Sequence, residues 1–154
     1  MSPRMAGLLL LVSWAAVCAD TARAEEPEVA YWLQCAGCHR FDGQGLPPEI
    51  PSLIDTPGRL EALPGGREYL VRLPGVAQAA LDDEHLAAVL NYVLKTFSAE
   101  TLSDGFRPFD AAEVGRFRTH VLADPLERRA QILGREGLRA ADGPAGGPDG
   151  TRGE

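Results

Sequence analysis

Methionine and cysteine are scarce in this chain of 154 residues, with two and three copies, and lysine is scarcer still: Lys95 stands alone among fifteen basic residues, the rest being arginine. Three cysteines exclude a disulfide-dense scaffold. The longest apolar run, Met5 to Val17, is too short to cross a bilayer comfortably, so a multi-span membrane protein is excluded. The length leaves room for one domain with extensions and none for a multidomain enzyme. β-Branched residues are few: beyond position 24 valine and isoleucine together number ten, and no stretch alternates with period two, so no sheet is expected. Positive charge is in deficit, 15 basic against 22 acidic residues, which argues against binding a phosphate backbone and so against a nucleic-acid partner. Glycine and proline are plentiful, 17 and 12, and announce long loops.

The N-terminus reads as an address. Arg4 supplies a positive charge, Met5–Val17 an apolar core, and Ala22-Arg23-Ala24 a small-x-small cleavage pattern. The expectation is a signal peptide over 1–24, cleaved before Glu25, and a periplasmic protein with no stable membrane insertion thereafter. Cleavage removes Cys18 and both methionines. The 130 residues that remain hold Cys35, Cys38, no methionine and a net charge of −8.

The rest of the chain predicts helices. Glu28–Gln34 follows Pro27, which suits a first turn. Residues 42–58 read as loop, with Pro47, Pro48, Pro51 and Pro57. Short helices are expected over Arg59–Leu63 and Gly66–Leu73, the second stopped by Pro74-Gly75. Over Asp82–Phe97 the residues Leu86, Val89, Leu90, Val93 and Phe97 form an amphipathic stripe that Asp82 can cap. Asp110–Val121 carries a capping-box spacing, Asp110 and Glu113, with Val114, Phe117 and Val121 on its apolar side. A last helix opens at Asp124-Pro125 with Leu126, Ala130 and Leu133 on one face. Residues 140–154 read as a disordered tail.

Cys35-Ala36-Gly37-Cys38-His39 is the C-x-x-C-H pattern of c-type haem attachment. Two thiols at this spacing can add to the two vinyl groups of one porphyrin edge, and the residue that follows falls beneath the iron, where an imidazole nitrogen binds it. Other readings of the pair are a redox disulfide, which wants a βαβ context absent here, a zinc site, which lacks a second C-x-x-C, and a structural disulfide.

With these residues in place the chain resembles the class I cytochrome c family from about Pro27 to Ser98. Tyr31 matches the aromatic of that family's N-terminal helix. Pro51, twelve residues after His39, matches a proline whose carbonyl accepts the proximal imidazole N–H, and Leu53 an apolar residue packing on the ring. Leu81-Asp82-Asp83-Glu84 and Asn91-Tyr92-Val93 match the closing helix. The resemblance implies an all-α, class I cytochrome c-like fold around one covalent haem c, with a cytochrome domain over 25–98 and a helical extension over 99–139. It implies Cys35 and Cys38 as the tethers, His39 as axial ligand, Pro51 and Leu53 as support, no catalytic residues, and a one-electron carrier rather than an enzyme. Gly65–Val76 is similar to a stretch of small exported cytochromes associated with bacterial amine oxidation, which implies a redox partner such as an exported quinone-cofactor dehydrogenase.

The family's usual sixth ligand is a methionine before the closing helix. Here that place reads Leu73-Pro74. A vacant or water-held site, ligation by His85 or His120, or ligation by Tyr69, Lys95 or the new N-terminus stay open, and with a vacant site a ligand-binding sensor or weak peroxidase is the alternative function. Arg67 and Arg72 read either as partners of haem propionates or as surface residues, and Phe106 and Phe109 either as a cover for the haem or as anchors of the extension.

Overall fold

The computed structural model describes residues 26–47 and 49–141, with side chains to 134. The expected signal peptide and residues 142–154 of the expected tail lie outside them. Among the described residues the fold is all-helical, with no strand and a single isolated bridge between Leu46 and Ile50.

Helix α1, Pro27–Gln34, leads at Cys35 into the one-turn α2, Ala36–His39. After a loop come α3, Thr56–Glu61, and α4, Gly66–Arg72, then α5, Pro74–Ala77. The longest uninterrupted helix, α6, spans Asp83–Phe97; Asp82 caps it by accepting from the His85 N–H at 2.8 Å. A 3₁₀ turn, Ala99–Thr101, precedes α7, Ala111–Arg118, capped by Asp110 through the Glu113 N–H, and α8, Pro125–Ala141, which breaks at Gly134.

The structure departs from the sequence reading at several prolines. Helix α3 begins at Thr56, inside the stretch expected to be loop, and α5 begins at Pro74, expected to be a stop. Proline lacks an N–H that the first helical turn does not need, so it opens these helices rather than breaking the chain. Helix α8 turns Ile132, Leu133 and the buried Arg129 inward, while Leu126 and Ala130 face solvent. Val121, expected on α7, lies beyond its end and is exposed.

Two apolar clusters position the site. In the smaller, Ala30, Tyr31 and Ala36 of the N-terminal helices meet Val89 and Val93 of α6. The Tyr31 ring sits 5.7 Å from Tyr92 and 5.3 Å from Phe97, a tilted aromatic triad at the α1–α6 crossing. The larger joins Leu60, Tyr69, Leu70 and Val71 to Leu86, Leu90 and Leu94, and takes in Phe109 and Val114 from the C-terminal extension. The extension therefore shares the main core. Asn91 on α6 seals the join by donating to the Phe109 carbonyl and accepting from its N–H, at 2.9 and 2.8 Å. Phe109 anchors the extension, and Phe106 packs on the same cluster.

Candidate functional site

The C-x-x-C-H segment folds as one tight turn at the end of α1. Cys35 ends α1, its N–H bonded to the Tyr31 carbonyl at 2.8 Å, and its own carbonyl accepts from the N–H groups of Cys38 and His39 at 3.2 and 2.9 Å. The two cysteines and the histidine are thus drawn together by one short turn. The chain leaves it through Arg40, whose φ of 64° is left-handed, and the Tyr31 hydroxyl holds that exit by donating to the Arg40 carbonyl at 2.6 Å. Burial, and then the charges of Cys35, Tyr92 and Asp42, push the Tyr31 phenol up to about 12, so it stays a donor.

The loop then returns to the imidazole. Gly45, at φ +66°, bonds its N–H to the His39 carbonyl at 3.0 Å, and Leu53 bonds its N–H to the Gly43 carbonyl at 2.7 Å. These bonds bring Pro51 back beside His39, with its carbonyl oxygen 3.2 Å from Nδ1. A carbonyl can only accept, so Nδ1 carries the proton and Nε2 keeps a lone pair. Burial lowers the His39 pKa below its ordinary value, against the opposing pull of the Pro51 bond, which favours the neutral imidazole that a metal needs. The far end of the loop is tied to α6: Ser98 donates to the Leu53 carbonyl at 2.8 Å and the Asp55 N–H to the Phe97 carbonyl at 2.9 Å.

Cys35 and Cys38 are both free thiols, the first half-buried, the second exposed. Burial first, and Cys38 second, push the Cys35 thiol up to about 11. Among the described residues no strand precedes or follows the pair, so the βαβ setting of a thiol–disulfide centre is missing. Among the described residues no three His, Cys, Asp or Glu side chains converge as a metal cage, so a zinc site has no support either. The donor set that remains is two unpaired thiols and an oriented imidazole with Nε2 free. The same loop leaves Phe41, Leu46 and Ile54 exposed, apolar surface that a flat apolar group would cover. These residues fit a covalent haem.

Several other expected participants are engaged elsewhere. Arg67 sits between two buried carboxylates, bidentate to Glu113 at 2.8 and 2.6 Å and bonded to Glu61 at 2.8 Å, with its guanidinium 3.9 Å above the Phe109 ring. It is neither a surface arginine nor free for a propionate. Arg72 pairs with Glu68 and donates to the His120 carbonyl. His85 Nδ1 lies 2.7 Å from Asp82, and His120 is exposed with Nδ1 2.8 Å from the Thr119 hydroxyl. Gly43 and Gly45 escaped the sequence reading as site residues, although their spacing directly after the motif was visible. A Cβ on Gly43 would meet the Phe97 ring at 2.8 Å, and one on Gly45 the Ile50 and Pro51 carbonyl oxygens at 2.5 and 2.8 Å.

No protein-family model matches the chain. It is similar to a cytochrome c-552 of Thermus thermophilus, 34% identical over 119 residues that cover 66% of this chain and 80% of that protein. A second cytochrome c-552 of the same species is 36% identical over 109 residues, covering 59% of this chain and 83% of the relative.

Proposed function

We propose a division of roles within the site from the premise that this chain belongs to the class I monohaem c-type cytochromes and carries electrons on covalently bound haem c. Cys35 and Cys38 are the two tethers, His39 is the axial ligand through Nε2, Pro51 orients that imidazole through its carbonyl, and Leu53 supports the packing. The haem supplies a one-electron couple when bound; the protein's part is to hold it and tune it. The observation that carries the assignment is the 3.2 Å approach of His39 Nδ1 to the Pro51 carbonyl, twelve residues away, beside two free thiols on the same turn. A bond from Nδ1–H raises the donor strength of Nε2 and fixes the ring's orientation.

The protein is exported through residues 1–24 and works in the periplasm as a carrier rather than a catalyst. Its partner is an exported dehydrogenase, a reading supported by the likeness of Gly65–Val76 to cytochromes of bacterial amine oxidation. The net charge of −8 left after removal of residues 1–24 favours a basic docking face on that partner. Expression with cytochrome-maturation machinery tests the assignment. One haem per chain is expected by mass and pyridine haemochrome, with a reversible one-electron titration. Periplasmic protein lacking covalent haem would overturn it.

A further inference from the structure

Cytochromes c of the His/Met kind fill the second axial position with a thioether. This chain has methionine only at positions 1 and 5, and none among the described residues. Its other two histidines are poorly disposed to substitute. His85 is held on the first turn of α6 by Asp82, which accepts from both its backbone N–H at 2.8 Å and its ring Nδ1 at 2.7 Å. His120 is exposed in the extension.

The segment between α4 and α6 turns apolar groups to the core, and its polar Gln78 is exposed. Leu73, Val76, Ala79 and Leu81 pack against the main core, and Leu81 also packs against the smaller cluster that Cys35 and Leu53 flank. The segment is pinned. Arg118 of α7, itself largely buried, donates to the carbonyls of Ala77 at 3.1 and 3.0 Å, Ala79 at 2.9 Å and Leu81 at 2.8 Å, and to Asp83 at 3.0 Å. These five bonds use the whole donor capacity of one guanidinium, four on one stretch of backbone and one on Asp83. A segment so held cannot swing to deliver another ligand. Its apolar side chains and the acidic run Asp82-Asp83-Glu84 favour a neutral molecule over an anion.

Resting on the haem-carrier reading, we propose that no side chain among the described residues fills the haem's sixth position, which instead takes a small neutral diatomic ligand, carbon monoxide or nitric oxide, beside the 73–81 segment that Arg118 holds in place. The experiment uses the full chain matured with haem. Mass and pyridine haemochrome establish attachment first; failure there strikes the carrier reading alone. With haem attached, the ferric spectrum is expected to be high-spin, and the dithionite-reduced protein to bind one carbon monoxide per haem. A low-spin spectrum that ignores carbon monoxide would overturn the proposal, whichever residue ligates. His85→Gln is expected to leave carbon monoxide affinity within twofold; a tenfold gain would identify His85 as the ligand and equally overturn it. Arg118→Lys keeps the charge but loses the fork, and is expected to change the carbon monoxide association rate at least threefold with the haem still high-spin. An unchanged rate in the folded variant would refute the role given to the pinned segment.

Discussion

Gly45→Ala probes the link between loop geometry and redox tuning. Gly45 sits at φ +66°, where a Cβ costs roughly 1–2 kcal/mol. The added carbon would stand 2.5 Å from the Ile50 oxygen and 2.8 Å from the Pro51 oxygen. Ordinary carbon–oxygen contacts lie near 3.3 Å, so the Pro51 carbonyl must retreat by roughly 0.5 Å. Its contact with His39 Nδ1 is already 3.2 Å. A retreat of that size along the bond takes it to about 3.7 Å, outside hydrogen-bonding range. The net worth of such a bond is about 1 kcal/mol, and the oxidised, more electron-demanding iron gains most from it. If about 0.5–1 kcal/mol of it is felt differently by the two oxidation states, the potential rises by roughly 20–40 mV, at 59 mV per tenfold for one electron. Spectroelectrochemical titration of the variant reads this directly, and denaturant unfolding should show a loss of about 2–3 kcal/mol from strain and displacement together. Gly105→Ala, where a Cβ meets nothing within 4 Å and which lies outside the helices and the 73–81 segment, is the control and should move neither quantity. A folded Gly45→Ala protein whose potential falls, or stays within about 10 mV of the parent, would refute the proposed path from Gly45 through Pro51 to His39.

Other perturbations test separate parts of the structure. Arg67→Met leaves the Glu61 and Glu113 carboxylates buried without their shared partner, since the remaining cation on Glu113, Arg107 at 3.3 Å, is mostly exposed; about 3 kcal/mol of stability is expected to go, a fall in Tm on the order of 10 °C. Arg67 holds the Glu113 carboxyl below the usual carboxylate range, so its stabilisation is present above the unfolded carboxylate pKa and is lost as pH falls through the lower folded value. The gap between parent and Arg67→Met should therefore narrow on acidification, and a pH-independent gap would contradict the ion-pair account. Asp82→Ala removes the α6 cap and should lower the denaturant midpoint of unfolding. Cys38→Ala should retain haem through Cys35 alone, with one vinyl still conjugated and the reduced pyridine band displaced to longer wavelength; a chain released from its haem by acid extraction would show that Cys35 forms no thioether.

What could be read from the sequence depended on how each contact is encoded. The C-x-x-C-H turn and α6 were legible because both are local: fixed spacing in one case, a repeating apolar stripe with an acidic cap in the other. The early start of α3 and the existence of α5 were not, because Thr56-Pro57 and Leu73-Pro74 look like interruptions unless the backbone before the proline is known; Asp55 at φ 60° and Leu73 in an extended conformation supply the entries. The return of Pro51 to His39 was suggested by family likeness, yet its local cause is two left-handed glycines whose partners lie elsewhere in the chain.

The least legible part is how the C-terminal extension holds on, and arginine explains why. The apolar face of α7 is thin, with Val114 fully buried and Phe117 only partly. The rest of the join is made by groups that a hydrophobicity pattern counts as surface: Asn91 against the Phe109 backbone, Arg67 reaching Glu113, and Arg118 spanning three carbonyls and Asp83. Gly115 lets α7 approach so closely that a Cβ there would meet the Asp83 carboxylate. A lysine carries the same charge but presents a point donor, and it could serve neither the bidentate carboxylate at Glu113 nor the row of carbonyls from Ala77 to Leu81. The bias of fourteen arginines to one lysine is thereby given a structural reason at Arg67 and Arg118, where planar forks replace the apolar area that the extension lacks.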